Sequence, residues 1–281
     1  MTKHAIWKAA IVLACAAALL SAQGGKKKKG QPEPAAAAAE PVGSPVAKQP
    51  SVKSAKEAEA VKALFGAQDA DSRIKAANDL AANFPNTEFK PIAMFFAEAS
   101  SQQKNDYENT IVYGEKALEA DPQQYQAMLM MAQTIAARTR EFDLDREEKL
   151  KSAEGYATKA LEIVKVAPRP NATVTDEQWD AAKKDFTSQG LEVFALAASA
   201  RNQPDKAIEA FNQVIAASPN VDPTTLVRLA AAYSKVNKFD DAISTLDKVI
   251  AMPELNVQVK QIAQAERARA LQAKNKAAAA K

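Results

Sequence analysis

Residues 191–219, LEVFALAASARNQPDKAIEAFNQVIAASP, and residues 226–253, LVRLAAAYSKVNKFDDAISTLDKVIAMP, are two versions of one pattern. Leu191, Phe194 and Ala195 align with Leu226, Leu229 and Ala230. Ala207 and Ile208 align with Ala242 and Ile243, Phe211 with Leu246, and Val214 and Ile215 with Val249 and Ile250. The offset is 35 residues at these positions and 34 between Pro219 and Pro253. Large apolar residues three apart mark a first helix. A polar turn follows (Asn202-Gln203-Pro204-Asp205; Asn237-Lys238-Phe239-Asp240), and a second helix opens on Asp and carries a small residue toward its partner. Such a pair leaves one apolar face bare, and only the next pair can cover it, so units of this kind come in stacks.

Further toward the N-terminus, the same signature occurs at Asp106-Tyr107-Glu108 followed by Glu115-Lys116-Ala117-Leu118-Glu119-Ala120-Asp121-Pro122. Tyr125 to Val166 reads as a further unit, with Met128, Met131 and Ala132 on the first helix and Ala153, Ala157, Ala160 and Leu161 on the second. Its inter-helix turn is expected to be about nine residues too long. Ser54 to Phe89 is a degenerate first unit: Val61, Leu64 and Phe65 on one helix, Ile74, Ala77 and Leu80 on the next. Thr175-Asp176-Glu177 caps a helix that runs through Trp179 and Phe186 toward Arg201, long for such a unit. Gln258 to Ala273 lacks a partner and reads as a polar helix closing the stack.

These residues resemble the tetratricopeptide repeat family over about residues 54 to 273: a large-x-x-large-small first helix, an Ala at the helix crossing, an aromatic or Leu four residues later and Pro at the end. Thr110 stands where the family has its second-helix Ala, and Ser100 and Ser101 stand where it has a first-helix aromatic. The resemblance implies an all-α fold, an α-solenoid of stacked antiparallel helix pairs with about five units and a C-terminal capping helix. It also implies a protein that works by binding a protein or peptide segment in a groove built from first helices. The repeat register places Phe95, Gln102, Leu129, Gln133, Glu192, Leu196, Ser199, Arg228 and Lys235 on that groove. Some family members grip a C-terminal carboxylate with Lys and Asn at such places. The Phe, Leu, Glu and Gln found here favour a segment held by apolar contacts and amide hydrogen bonds instead.

Composition agrees with helices: 47% of the 281 residues are hydrophobic, only 6% are aromatic, and Gly numbers 8, so little strand is expected. Lys3 and Lys8 followed by the apolar stretch Ala9–Leu20 and Leu20-Ser21-Ala22 read as an export signal over residues 1–22. The expected location is the periplasm, with retention through an uncleaved signal or lipidation at Cys15 as alternatives. Residues 23–53, rich in Lys, Pro and Ala, read as a disordered linker ahead of a repeat array over 54–256, with a capping helix and basic tail over 257–281.

The formal net charge of +3 hides a division. Residues 23–53 hold 6 Lys and 2 Glu, residues 54–256 hold 23 Lys/Arg and 31 Asp/Glu, and residues 257–281 hold 6 Lys/Arg and 1 Glu. An acidic body without a basic, aromatic-interleaved stripe argues against nucleic acid. The run Lys26, Lys27, Lys28, Lys29 is a candidate contact for an anionic membrane surface or cell-wall polymer. Self-association is a further option for a repeat edge.

His4 and Cys15 are the chain's single His and Cys, so cleavage near Ala22 removes the usual base, thiolate nucleophile and soft metal ligands. No enzyme activity, cofactor or metal is expected. Asp143, Asp145 and Glu147 alternate as at the start of a calcium loop, but the required Gly and distal Glu are missing, and a solvated insertion is the preferred reading. Of Met128, Met130 and Met131, at least two are expected in the core.

Overall fold

The computed structural model describes residues 44–217 and 220–279. The expected signal, Cys15, Lys26 to Lys29 and most of the expected linker lie outside the described residues. Eleven helices are present among them: α1 (Ala55–Gly66), α2 (Ala70–Asn83), α3 (Lys90–Gln103), α4 (Tyr107–Ala120), α5 (Tyr125–Arg138), α6 (Arg146–Val166), α7 (Asp176–Ala200), α8 (Pro204–Ala217), α9 (Pro223–Lys235), α10 (Phe239–Ile250) and α11 (Val257–Ala279). Short turns fold successive helices back into antiparallel pairs of the α-solenoid type. The chain divides into two compact units: the described residues up to Pro122 together with Val166–Ala182, and Gln123–Lys165 together with the described residues from Lys183 onward.

In the first unit, the starts of α1, α2 and α4 are written in the sequence. Ser54 Oγ accepts the Glu57 N–H at 3.1 Å while Glu57 Oε2 accepts the Lys53 N–H at 2.6 Å, a capping box displaced by one residue. Asp69 and Asp106 cap α2 and α4 in the same way, accepting from Ser72 and Asn109. Apolar residues at helical spacing (Val61 and Leu64; Ala77 and Leu80; Ala93, Met94 and Ala97) form the core, with the Phe65 and Phe96 rings edge to face at 5.3 Å.

Residues 44–53, expected as linker, are tied down. Ala47 N–H donates to the Arg169 carbonyl and Arg169 N–H to the Pro45 carbonyl, both at 2.8 Å, forming the isolated bridge Val46–Arg169. Lys53 Nζ reaches the Asn86 carbonyl at 2.7 Å. Extended backbone here satisfies its polar groups against the loop 167–175, which composition alone does not reveal. That loop is held by Asn171, whose Oδ1 accepts the N–H groups of Thr173 and Val174, and by Trp179, whose indole N–H donates to the Ala167 carbonyl at 3.0 Å.

In the second unit, α6 buries Leu150, Ala153, Ala157, Ala160 and Val164, a stripe of alternating three- and four-residue steps. Met128 and Met131 are core, and Met130 is half-buried. The α5–α6 turn is residues 139–145, much shorter than expected. Arg146, Glu147 and Glu148 open the helix instead, where the dipole favours acidic residues. Arg201 locks that helix to the turn after α7, with Nη2 on Glu154 at 3.0 Å and Nε on Glu147 at 2.9 Å. These hydrogen bonds push the Arg201 pKa up and hold Glu147 low. Helix α11 runs six residues beyond its expected end at Ala273. It buries only Ala263 and Ala270 against α9 and α10, and Arg267 and Lys274 pair with Asp247 and Asp240 of α10.

Three pairs close in the same way. Asn105, Asn202 and Asn237 all sit at φ near +60° (58°, 56° and 61°). In each, the Asn N–H donates three residues back, to Gln102, Ser199 and Ser234. The following N–H donates five residues back, to Ser101, Ala198 and Tyr233, at 2.9 Å in all three. This is the Schellman turn, whose left-handed position tolerates Asn.

Candidate partner-binding pocket

The second unit contains an open cavity of about 300 Å³. Helices α5, α7 and α9 supply its floor, Ala136, Ala200, Ala231 and Ala232, with Ala207 from α8. Alanine has a small side chain and high helix propensity, so a row of alanines both holds the helices and leaves room between them. Leu196 gives one apolar wall. The rim is polar: Thr139, Ser199, Asn202, Arg228 and Lys235.

Most of that rim is already oriented. The Thr139 and Ser199 hydroxyls donate to their own helices, to the Ile135 and Ala195 carbonyls at 2.8 Å, which leaves their oxygens as acceptors. Arg228 Nη1 donates to Glu192 Oε1 at 2.8 Å, and Thr225 Oγ1 donates to the same oxygen at 2.7 Å. Lys235 Nζ donates to Asn202 Oδ1 at 2.8 Å and lies 4.0 Å from Glu141. Two cations thus stand over an alanine floor, each partly balanced by a fixed carboxylate.

Of the nine residues placed on a groove from sequence, Leu196, Ser199, Arg228 and Lys235 meet in this cavity. Glu192 stands behind it and positions Arg228. Gln133 reaches the Gln189 carbonyl at 3.3 Å and ties α5 to α7 without lining the cavity. Leu129 is a correction: at 1% exposure it is core, because α5 is apolar on most of its circumference. Phe95 and Gln102 belong to the first unit, Phe95 half-buried with its ring 6.4 Å from that of Phe96, and Gln102 exposed. The floor was missed because alanine carries no contrast in a hydrophobic pattern. The signal was register, since Ala231 and Ala232 fall between Arg228 and Lys235.

Carboxylates at the α5–α6 turn are engaged with protein groups: Asp143 accepts the Arg140 N–H, Asp145 pairs with Lys149 at 2.9 Å, and Glu147 holds Arg201. Among the described residues no helix is long and apolar enough to cross a membrane.

The tetratricopeptide repeat family model matches residues 198–275, the end of α7 through most of α11. Among curated proteins no relative matches. Solved structures similar to this chain include the tetratricopeptide repeat protein TTC0263 of Thermus thermophilus, with 15% identity, 72% of this chain and 90% of that chain covered, and a TM-score of 0.48. Another is a tetratricopeptide repeat protein of Parabacteroides merdae ATCC 43184, with 13% identity, 79% and 92% coverage and a TM-score of 0.39. The RpL4 assembly chaperone Acl4 is similar at 14% identity, 79% and 97% coverage and a TM-score of 0.40. With the helix pairs α7–α8 and α9–α10 closed by one turn geometry and the matched segment spanning both of those turns, residues 198–275 match the tetratricopeptide repeat, and the rest of the chain shares its helix-pair architecture.

Proposed function

We propose that the chain is a non-enzymatic scaffold for protein–protein interaction, exported to the cell envelope, that binds a segment of a partner protein in the cavity of its second unit. The observation that carries this reading is the alanine floor between first helices beneath a polar rim. A bulky apolar side chain fits such a floor, and the Ser199 and Thr139 oxygens with the Arg228 and Lys235 cations meet the partner's backbone and polar groups. The loss of His4 and Cys15 with a cleaved signal supports a binding role over catalysis.

Peptides selected from a display library on the purified chain test the site. Binding is expected to disappear in Ala231→Trp, which fills the floor from a half-buried position. Undiminished binding in that variant moves the site elsewhere. Sequencing the mature N-terminus together with cell fractionation tests export: a chain that starts at Met1 and is recovered in the cytosolic fraction removes the envelope from the reading.

A second reading, an adaptor gripping anionic lipid or cell-wall polymer through its basic ends, rests on Lys26 to Lys29 and the basic tail. Two tail cations, Arg267 and Lys274, are paired with α10 carboxylates, which weakens it. Sedimentation with anionic vesicles that vanishes in moderate salt and survives filling of the cavity favours this reading.

A further inference from the structure

The α5–α6 turn departs from the turn that closes α3–α4, α7–α8 and α9–α10. Where three other pairs close in three residues around a left-handed Asn, this one takes residues 139–145 and holds out Phe142 at 88% exposure and Leu144 at 107%. Neither side chain is part of a core, and neighbouring exposed large apolar groups mark interaction sites.

The turn is built to hold them there. Asp143 Oδ2 accepts the Arg140 N–H at 3.1 Å, and the Asp143 N–H donates to the Arg140 carbonyl at 3.2 Å. Arg146 Nη1 donates to the Glu141 carbonyl at 2.6 Å, and Lys149 pairs with Asp145 at 2.9 Å. A turn fixed before contact loses little conformational freedom on binding. Its charge also selects the partner. Phe142 and Leu144 alternate with Glu141, Asp143 and Asp145, a pattern repelled by anionic lipid and suited to an apolar socket ringed by cations.

The cavity described above is such a socket: alanines below, Arg228 and Lys235 at the rim. It also lies beside the turn in the same unit, since Thr139 lines the cavity and begins the turn, and Glu141 is 4.0 Å from Lys235. A surface that carries a projection and its complementary recess side by side is self-complementary, which is what a two-fold contact requires. Resting on the reading of the cavity as a binding site, we propose that its occupant is a second copy of this chain. Phe142 and Leu144 of each copy enter the cavity of the other, and the acidic turn of one faces Arg228 and Lys235 of the other.

The test is sedimentation velocity on the full chain from about 1 to 100 µM. The parent is expected to dimerise. Phe142→Ser with Leu144→Ser removes the projection, and Ala231→Trp fills the recess. Each is expected to weaken association by about tenfold or more while keeping the parent's circular dichroism. Mixed, the two variants are expected to form heterodimers, because one intact projection then meets one intact recess.

A parent that stays monomeric, a projection variant that dimerises as the parent does, or a mixture that stays monomeric overturns the proposal. Peptide binding read in the same samples separates the two readings. A monomeric parent that still binds selected peptides, lost in Ala231→Trp, overturns the second copy as occupant and leaves the cavity a partner site. Peptide binding indifferent to Ala231→Trp overturns the cavity as a peptide site, and the association results then decide the second copy by themselves.

Discussion

Helix pairs α3–α4 and α9–α10 are built on one backbone plan and bury opposite chemistry. Both close through the same turn, with Asn105 and Asn237 left-handed and the next N–H bonded five residues back. Counting back from the turn, Glu98 of α3 takes the place of Ala230 of α9. Twelve residues on, Thr110 takes the place of Ala242. In α9–α10 the two alanines join Leu246, Val249 and Ala263 in a dry core. In α3–α4 the same register position holds a carboxyl at 0% exposure. Among the described residues neither oxygen of Glu98 has a hydrogen-bond partner, nor does the Ser101 hydroxyl one turn on. Burial pushes Glu98 up to about 9, so it is a neutral acid at pH 7. The turn therefore sets the path of the chain, while the residue at the crossing decides whether the pair is stable at every pH.

Moving the carboxyl from one pair to the other tests this contrast most directly. Ala230→Glu is expected to cost more than about 4 kcal/mol, since the new side chain must both fit and stay neutral among Leu246, Val249 and Ala263. Urea unfolding with hydrogen exchange along α9 to α11 reads it out. Full tolerance would mean that the crossing is roomy in both pairs and that a carboxyl there costs little.

The next largest effect is a gain. Glu98 has its folded pKa raised from 4.5 to about 9, so its contribution is fully present below pH 4.5 and is lost progressively as pH rises to about 9. At pH 7 the unfolded chain has released a proton that the folded chain retains, a penalty of up to about 3 kcal/mol. Glu98→Gln keeps the shape and has no proton to lose. Urea melts between pH 5 and 9 are expected to show falling stability in the parent and a nearly flat profile in the variant, with the largest difference near pH 9. Parallel profiles would place an unseen cation or water beside the carboxyl.

The helical period and the repeat offset made the pairs readable from sequence, because both depend on large apolar residues at fixed spacing. The capping residues Ser54, Asp69 and Asp106, which the structure shows and the sequence reading did not single out as caps, follow a local rule acting over three residues. The buried state of Glu98 was not: a Glu in an Ala-rich helix reads as solvated until the register of the turn is known. Four of the nine groove residues reached the cavity, all of them among the five on α7 and α9, where the repeat is most regular. Leu129 failed because α5 is apolar nearly all round, so its pattern does not say which face points outward.

A third position in the same register extends the contrast. Ala93, Gly190 and Thr225 each stand five residues before the crossing residue, and of the three Gly190 is the one without a side chain. A Cβ there would stand 2.8 Å from Leu161 Cγ, which is not the loose end of its chain. Gly190→Ala is expected to destabilise the second unit by about 1–2 kcal/mol despite the better helix propensity of Ala. Adding Leu161→Ala should recover part of that loss in a double-mutant cycle.

The smallest effect tests the premise that the turns are equivalent. Asn→Ala at 105, 202 or 237 forces a Cβ without a compensating polar side chain into the left-handed region, at a cost of about 1 kcal/mol each, whereas Asn→Gly is expected to be within about 0.5 kcal/mol of the parent. Position 202 should lose slightly more in both substitutions, because Asn202 Oδ1 also accepts from Lys235 Nζ. The measurement is the urea midpoint of each single variant. Equal Ala penalties at 105 and 237 would show that backbone alone carries the turn, so that the pH dependence separating the two pairs comes from the crossing residue. Unequal penalties would mean that the buried carboxyl two turns before Asn105 already strains α3, and the two pairs would then differ in backbone as well as in chemistry.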